Sequence, residues 1–235
     1  MTTVLAPVML RPAPAVAAPL RLEPEWECVH IPPMGLAYEW TKRALDIVIS
    51  AALIALLWPP MLLIAVLVKL TSRGPILFRQ PRAGLNGGAF TMYKFRSMRD
   101  GAQDDRKLVE HLNQQSGPVF KIPEDPRLTG FGRFLRRSSL DELPQLFNVL
   151  RGEMTLVGPR PLWLPEAEEA TGRARLRTSV KPGLTCLWQI SGRSELSYER
   201  WVELDLYYIC RRSTLLDLMI LGQTIPAVLT GRGAY

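Results

Sequence analysis

Two adjacent carboxylates, Asp141 and Glu142, are the side chains in this sequence best suited to chemistry. They follow Arg136 and Arg137 and precede an apolar run, which predicts a helix with Ser139 as its N-cap. Spacing alone favours a structural role, because acidic side chains stabilise the first turn of a helix. The alternative is phosphoryl transfer: one carboxylate attacks phosphorus, and its neighbour holds Mg²⁺, which binds one or two carboxylates together with substrate phosphates.

Four cationic side chains elsewhere have a local setting that suits phosphate. Lys94 and Arg96 alternate at the end of a predicted strand, Arg160 lies in the stiff turn Gly158–Pro161, and Arg193 directly follows a glycine. A guanidinium can bind phosphate through two parallel hydrogen bonds. Each arginine taken alone is better explained as a solvated surface charge, so these cations indicate a phosphate site only when taken together.

The charge distribution predicts an anionic partner. The chain of 235 residues has a formal net charge of +7, and the span Lys69–Arg137 holds fourteen Lys and Arg against six Asp and Glu. A concentrated basic region attracts phosphate groups, nucleic acid or acidic lipid. The sequence has no recognition-helix, zinc-finger or RNA-binding signature, and neither a P-loop nor a GxGxxG motif. We therefore expect phosphates and membrane lipid, and no nucleic acid.

A long apolar segment predicts insertion into a membrane. Ile47–Val68 is twenty-two residues without a charge. Pro59-Pro60 lies in its middle, and two prolines predict a sharp kink or a break in the helix. The arms on either side reach about 18 Å and 12 Å, less than a hydrocarbon core of about 30 Å. Basic residues flank both ends, and basic flanks stay in the cytoplasm. We therefore favour a re-entrant hairpin over a kinked helix that spans the bilayer once.

The elements after this segment predict a small, mostly helical domain. Ile76–Arg79 and Phe90–Phe95 predict two strands of a β-hairpin. Helices are predicted over Gly130–Leu135, Leu140–Leu150 and Glu199–Arg211. Leu215–Leu229 is strongly apolar and interrupted by a proline, which favours an interfacial amphipathic helix.

The predicted fold class is therefore α+β, mostly α, in a monotopic membrane protein. Three regions are expected: an extended or disordered N-terminal tail over 1–38, a re-entrant membrane helix over 39–72, and a cytoplasmic catalytic domain over 73–235.

An ordered set of short motifs resembles the bacterial sugar transferases, the monotopic polyprenyl-phosphate phosphoglycosyl transferases. The resemblance runs from about residue 38 to the end of the sequence. Its motifs are the Pro-broken apolar segment and Lys42–Asp46, Gly74-Pro75, Phe78–Gln80, Lys94–Met98, Asp125–Arg127, Ser139–Leu146, Asn148–Gly152, Val157–Pro161, Lys181–Thr185, Trp188–Arg193 and Gly231–Tyr235. A single motif of this kind is weak evidence, whereas the ordered set is specific.

The resemblance implies a role for each candidate residue. Asp141 would attack the β-phosphorus of a UDP-sugar and form a phosphosugar–aspartyl intermediate, and Glu142 would bind Mg²⁺ beside it. Arg136, Arg160 and Arg193 would hold phosphates or the nucleotide, with Lys94 beside them. An acidic position near the C-terminal helix would face the site; Asp217 matches it best, and Asp205 is a competing match.

The resemblance also implies partners and a location. The donor would be a UDP-sugar, with UDP-glucose or UDP-galactose expected, and the acceptor would be undecaprenyl phosphate at the bacterial inner membrane, with release of UMP. A homodimer is left open. Two alternative functions also remain: a glycosyltransferase that releases UDP, and a non-catalytic scaffold for polysaccharide export. The chain departs from the family pattern at Pro59, where Ser is frequent, and at Cys186, where Gly is frequent.

Overall fold

The fold is described from a computed structural model over residues 31–114, 119–120, 122 and 124–231. The predicted tail over 1–38 therefore lies mostly outside the described residues, as does most of the motif that closes the sequence. The α-helices are α1 (Leu36–Thr71), α2 (Gly130–Arg137), α3 (Gln145–Arg151), α4 (Leu164–Glu169), α5 (Leu187–Ile190), α6 (Tyr198–Arg211) and α7 (Thr214–Thr230). The strands are β1 (Leu77–Ala83), β2 (Ala89–Phe95), β3 (Thr155–Val157) and β4 (Gly183–Thr185). Short 3-10 helices cover Leu85–Gly87, Asp104–Leu112, Leu140–Glu142, Gly172–Ser179 and Arg193–Glu195.

The apolar segment belongs to one 36-residue helix, α1, which contains Pro59 and Pro60. The two prolines therefore do not divide the segment into separate helices. Among the described residues, α1 is the one helix long and apolar enough to cross a membrane. Large side chains such as Leu56, Trp58 and Leu63 are exposed around the prolines. A helix that is apolar yet largely exposed is typical of contact with lipid.

Both ends of α1 pack against the same domain. Near its start, Asp46 is buried against β3, and Ile49 packs against the main hydrophobic core. Near its end, Ile64 and Val68 form a second cluster with Leu135 of α2 and with the end of β2. The helix is therefore held at two separated points, and the exposed apolar side chains around the prolines lie between them.

The predicted β-hairpin is confirmed. β1 and β2 are antiparallel, with Leu77 opposite Phe95 and Ala83 opposite Ala89. The first strand extends further than predicted and includes Pro81. A proline is tolerated there because a strand of a two-stranded ribbon has one edge without a strand partner. The hairpin ends at Phe95, directly before the cationic segment that lines the site.

The predicted helix over Leu140–Leu150 is wrong in its first part. The chain forms a 3-10 turn over Leu140–Glu142 and begins α3 only at Gln145, after Pro144. Ser139 precedes the turn, but its side chain makes no capping hydrogen bond, and its φ is 57°. This left-handed conformation is uncommon for a residue other than glycine and reverses the chain sharply after α2. The carboxylates thus lie in a tight turn and not in the first turn of a long helix.

The main core is formed by α3, β3, α5, α6 and α7. Leu204, Leu206 and Ile209 of α6 are almost completely buried, and Trp188 stacks on Trp201 with ring centroids 4.3 Å apart. The short parallel pair β3–β4 lies inside this core. The predicted helix near the C-terminus is confirmed as α7, which buries Ile220 and exposes several leucines on its other side.

Candidate active site

A glycine sets the position of the turn that carries Asp141. Gly132 of α2 packs directly on the backbone of Ser97, and a Cβ at this position would lie 1.8 Å from the Ser97 carbonyl oxygen. Thr129 caps the same helix, with its hydroxyl accepting from the Gly132 amide at 2.9 Å. The C-terminal end of α2 and the turn after it are therefore held close to the end of β2.

The two carboxylates have different electrostatic environments. Glu142 Oε1 accepts from Lys94 Nζ at 2.6 Å and from Arg160 Nη2 at 3.3 Å. Burial raises the pKa of Glu142, but the charges of Lys94 and Arg160 outweigh it and lower the pKa to about 2. Burial also raises the pKa of Asp141, and there the nearby cations only partly offset it. Glu142 is therefore a permanent anion, and Asp141 is the more basic carboxylate of the pair.

The predicted cations converge on this pair. Lys94, Arg136, Arg160 and Arg193 line one cleft together with the two carboxylates. Arg136 is held by its Nε, which donates to the Ser97 hydroxyl at 3.1 Å. Arg193 has a φ of 51° and donates from Nε to the Gln189 carbonyl at 3.2 Å. The structure thus places Arg136, which is close in sequence, and Lys94, Arg160 and Arg193, which are distant in sequence, in one cleft with Asp141 and Glu142.

The cleft has the size and lining of a site for a phosphorylated ligand. Its volume is about 1140 Å³, at the upper end of ordinary small-molecule sites. The outer wall is formed by the β-hairpin, the loop over residues 99–103, and Phe120. Trp188 closes the inner end, with the Arg160 guanidinium 5.9 Å from the centre of its ring. The cationic side chains in the lining suit a ligand that carries phosphate groups.

Asp141 and Glu142 suit a magnesium ion. No group of three or more His, Cys, Asp or Glu side chains that could hold a metal occurs in the described part of the chain. Two adjacent carboxylates are instead the small protein contribution that Mg²⁺ usually takes alongside substrate phosphates. Asp141 and Glu142 are therefore the residues that could hold such an ion together with phosphate oxygens of a ligand.

Comparison with known proteins identifies the family. Residues 37–231 match the model of the family described as Bacterial sugar transferase. The chain belongs to the bacterial sugar transferase family. The resemblance inferred from the motifs is therefore confirmed, and it covers every residue described above for the cleft.

Three relatives differ in how much of their own length this chain matches. It is 44% identical over 195 residues to the Galactosyl transferase CpsE of Streptococcus agalactiae, covering 82% of this chain and 43% of CpsE. It is 42% identical over 203 residues to the Exopolysaccharide production protein ExoY of Sinorhizobium fredii, covering 83% of this chain and 88% of ExoY. It is 43% identical over 212 residues to the Undecaprenyl-phosphate glucose phosphotransferase of Komagataeibacter xylinus, covering 84% of this chain and 38% of that protein. The chain thus spans 88% of ExoY and less than half of the other two relatives.

Arg96 lies at the cleft, but its guanidinium donates hydrogen bonds to three backbone carbonyls. Nε donates to the Pro75 carbonyl at 2.6 Å, Nη2 donates to the Ser72 carbonyl at 2.9 Å, and Nη1 donates to the Arg73 carbonyl. Arg96 therefore holds the turn between α1 and β1. The structure gives it an anchoring role beside the predicted phosphate contact, which stays a prediction.

Asp217 and Asp205 are not in the cleft lining. Asp217 is buried on the far side of β3, where it accepts from Lys42, Tyr208 and Tyr38. The prediction that Asp217 faces the site is therefore not met by the structure, because the first turn of α7 packs against the start of α1. Asp205 is fully buried in α6. Burial raises its pKa to about 6 against the opposing charge of its partner Arg177.

Two cleft residues were missed by the sequence analysis. Arg82 of β1 donates to the Pro161 carbonyl at 3.2 Å, and its buried Nε has no hydrogen-bond partner among the described residues. Burial lowers its pKa to about 10. Arg177 is the second, and its pairing with Asp205 places it at the inner wall. The alternation of Gln80 and Arg82 on one face of β1 was the available signal for Arg82, whereas nothing local distinguishes Arg177 from its basic neighbours.

Proposed function

We propose that this sugar transferase moves a hexose 1-phosphate from a UDP-sugar to undecaprenyl phosphate and releases UMP. The observation that carries the proposal is the convergence of Asp141 and Glu142 with Lys94, Arg160 and two further arginines in one cleft. A carboxylate nucleophile surrounded by cations suits transfer of a phosphoryl group, which depends mainly on positioning and charge neutralisation. The name of one relative, the undecaprenyl-phosphate glucose phosphotransferase, supports the same chemistry and the same acceptor.

The proposed reaction has two displacements at one phosphorus. A carboxylate oxygen of Asp141 forms a bond to the β-phosphorus of the UDP-sugar, and the bond from that phosphorus to the bridging oxygen breaks, so that UMP leaves with the electron pair. A phosphate oxygen of undecaprenyl phosphate then attacks the same phosphorus and releases the Asp141 carboxylate. The product is undecaprenyl diphosphate hexose, and the enzyme returns to its starting state.

The electrostatics of the carboxylate pair suit this division of roles. The raised pKa of Asp141 makes its anion the more nucleophilic of the two, while Lys94 and Arg160 keep Glu142 ionised. The two side chains would hold Mg²⁺, which would neutralise phosphate charge when bound. Lys94 and the arginines would receive the charge that develops on the leaving UMP.

The packing of both ends of α1 supports a membrane segment that enters and leaves the bilayer on the same side. The start of the helix packs on the main core and the end packs on α2, so both ends lie on the domain that carries the cleft. A helix that spans the membrane once would leave one end on the opposite side. We therefore infer that the exposed middle of α1 dips into one leaflet of the inner membrane from the cytoplasmic side. This arrangement would present the cleft to a lipid phosphate.

The donor sugar is proposed to be galactose or glucose. Relatives named for galactose and for glucose match this chain at similar identity, so identity does not separate the two. A panel with UDP-galactose and UDP-glucose as donors decides between them.

The test is a reaction of the purified chain with each UDP-sugar, Mg²⁺ and undecaprenyl phosphate. Chromatography should show UMP as the nucleotide product, and Asp141→Asn should release none. Release of UDP would instead indicate a glycosyltransferase that leaves the phosphate behind. Absence of any nucleotide release, together with normal polysaccharide output from cells carrying Asp141→Asn, would favour a scaffold.

A further inference from the structure

A partly buried lysine near the start of α1 contacts the strand that leads to the cleft. Lys42 Nζ donates to the Val157 carbonyl at 2.9 Å, to the Asp217 carboxylate at 2.9 Å and to the Tyr208 hydroxyl at 3.2 Å. An ammonium group has three hydrogens, so these three acceptors use all of them. The Tyr208 hydroxyl lies 2.7 Å from the second oxygen of Asp217 and 2.9 Å from the Val157 carbonyl. The carboxylate that sequence analysis placed at the active site thus belongs to this network.

A second α1 side chain holds the other two residues of the same strand. Asp46 accepts from the Thr155 hydroxyl at 2.8 Å and from the Leu156 amide at 2.9 Å. Together with Lys42, it gives each residue of β3 a direct hydrogen bond to a side chain of the membrane helix. Residues four apart on a helix lie on one face, so Lys42 and Asp46 act as one polar surface of α1.

The chain passes from β3 straight into the turn that carries Arg160. On the side away from α1, the Gly158 amide donates to the Thr185 carbonyl at 3.0 Å, and the Gly183 amide donates to the Pro159 carbonyl at 2.8 Å. The two glycine backbones are so close that a Cβ on Gly183 would lie 2.1 Å from the Gly158 nitrogen. The turn is therefore clamped between α1 and β4, and a shift of β3 would move Arg160.

Stability alone does not explain the largely buried ion pair of Lys42 and Asp217. Removing a lysine and a carboxylate from water costs free energy that their attraction often fails to recover, and an apolar pair of similar volume is frequently as stable. The network also fixes the position of the Val157 carbonyl, three residues before Arg160. Arg160 in turn donates to Glu142 at 3.3 Å in the cleft.

We infer that Lys42 and Asp217, with Tyr208, are positioning residues for Arg160, so that docking of the membrane helix sets the geometry of the phosphate-binding cleft. The inference rests on the proposed function, in which Arg160 binds the diphosphate of the donor. The role predicted for Asp217 is thereby replaced: it acts through Lys42 and the Val157 carbonyl, from behind the strand and not from within the cleft.

The experiment is a double-mutant cycle on UMP release from UDP-galactose, or from UDP-glucose if that is the donor used. Lys42→Met keeps the length of the side chain and removes its hydrogen bonds. It should lower kcat/KM about 10- to 100-fold, the usual effect of misplacing a binding group by about 1 Å. In an Arg160→Gln background, the same change should lower kcat/KM by less than about twofold, because the residue it positions is already lost. Lys107→Met, an exposed lysine outside the network, is the matched control and should change neither value.

A purely structural role gives a different pattern. In that case Lys42→Met would lower activity by the same factor in both backgrounds, and the inference would be wrong. If Lys42→Met does not fold, Tyr208→Phe takes its place in the cycle, because it removes one hydroxyl and leaves the Lys42–Asp217 pair intact. If the unmodified protein releases no UMP from either donor, the proposed function itself fails and this inference fails with it. Turnover by the unmodified protein with an unchanged Lys42→Met overturns this inference alone.

Discussion

Gly132 offers a sharp test of how the candidate nucleophile is positioned. An alanine Cβ at this position would lie 1.8 Å from the Ser97 carbonyl oxygen, and Cβ contacts essentially never fall below 3.0 Å. Helix α2 would therefore have to move by at least about 1.2 Å, and overpacking of this kind costs about 1–3 kcal/mol of folding stability. Arg136 lies one turn further along α2, and Asp141 follows the helix directly, so both would move with it. We expect kcat/KM for UMP release to fall about 100-fold in Gly132→Ala.

The matched control lies two residues earlier in the same helix. A Cβ on Gly130 would meet nothing within 4 Å, so Gly130→Ala should keep full activity and should be neutral or slightly stabilising. Thermal melting of both variants alongside the UMP assay separates loss of folding from displacement of the site. Equal activity of Gly132→Ala and Gly130→Ala would refute the reasoning, because it would show that the spacing between α2 and Ser97 does not set the site.

Three further predictions concern charge. Lys94→Met should move the acid limb of the pH profile of kcat/KM to higher pH. The reason is that Lys94 lowers the pKa of both Glu142 and Asp141, and each carboxylate must be ionised for the reaction. An acid limb at the same pH as in the unmodified protein would contradict this. Arg177→Met should lower the free energy of unfolding by about 3–5 kcal/mol in a denaturant titration, because it leaves Asp205 buried without its cation. Arg200→Met, at a partly exposed pair, should cost less than about 1 kcal/mol. Chelation of Mg²⁺ with EDTA should abolish UMP release and leave the melting temperature unchanged. The reason is that the two carboxylates bind the ion firmly only when substrate phosphates are also present. A large drop in melting temperature would indicate a structural metal instead.

Local sequence patterns predicted the β-hairpin and most of the charged residues that line the cleft. Alternating residues predicted the hairpin, and the carboxylate pair and its cations could be named because their residue types are suited to phosphate. Their convergence also followed from the ordered motifs. What local pattern could not show was the shape of the connecting turn, since the left-handed φ of Ser139 depends on how α2 packs on Ser97.

The internal contacts of Arg96 and Asp217 show what sequence reasoning could not predict. Both are charged residues in motifs of the family, and charge alone gave no means of separating a substrate contact from an internal one. Arg96 turned out to bind the carbonyls that follow α1, and Asp217 turned out to bind Lys42 at its beginning. In both cases the partner is distant in sequence: it lies just after α1 for Arg96 and near the start of α1 for Asp217.

The covalent intermediate is the central claim, and intact-protein mass spectrometry tests it directly. The protein is incubated with UDP-galactose or UDP-glucose and Mg²⁺, without undecaprenyl phosphate, and is then quenched in acid. The account predicts UMP release together with the added mass of one hexose phosphate, located by proteolysis on the peptide that contains Asp141, removed by hydroxylamine, and absent in Asp141→Asn. Full turnover on addition of lipid with no adduct at any time, or an adduct that persists in Asp141→Asn, would contradict it.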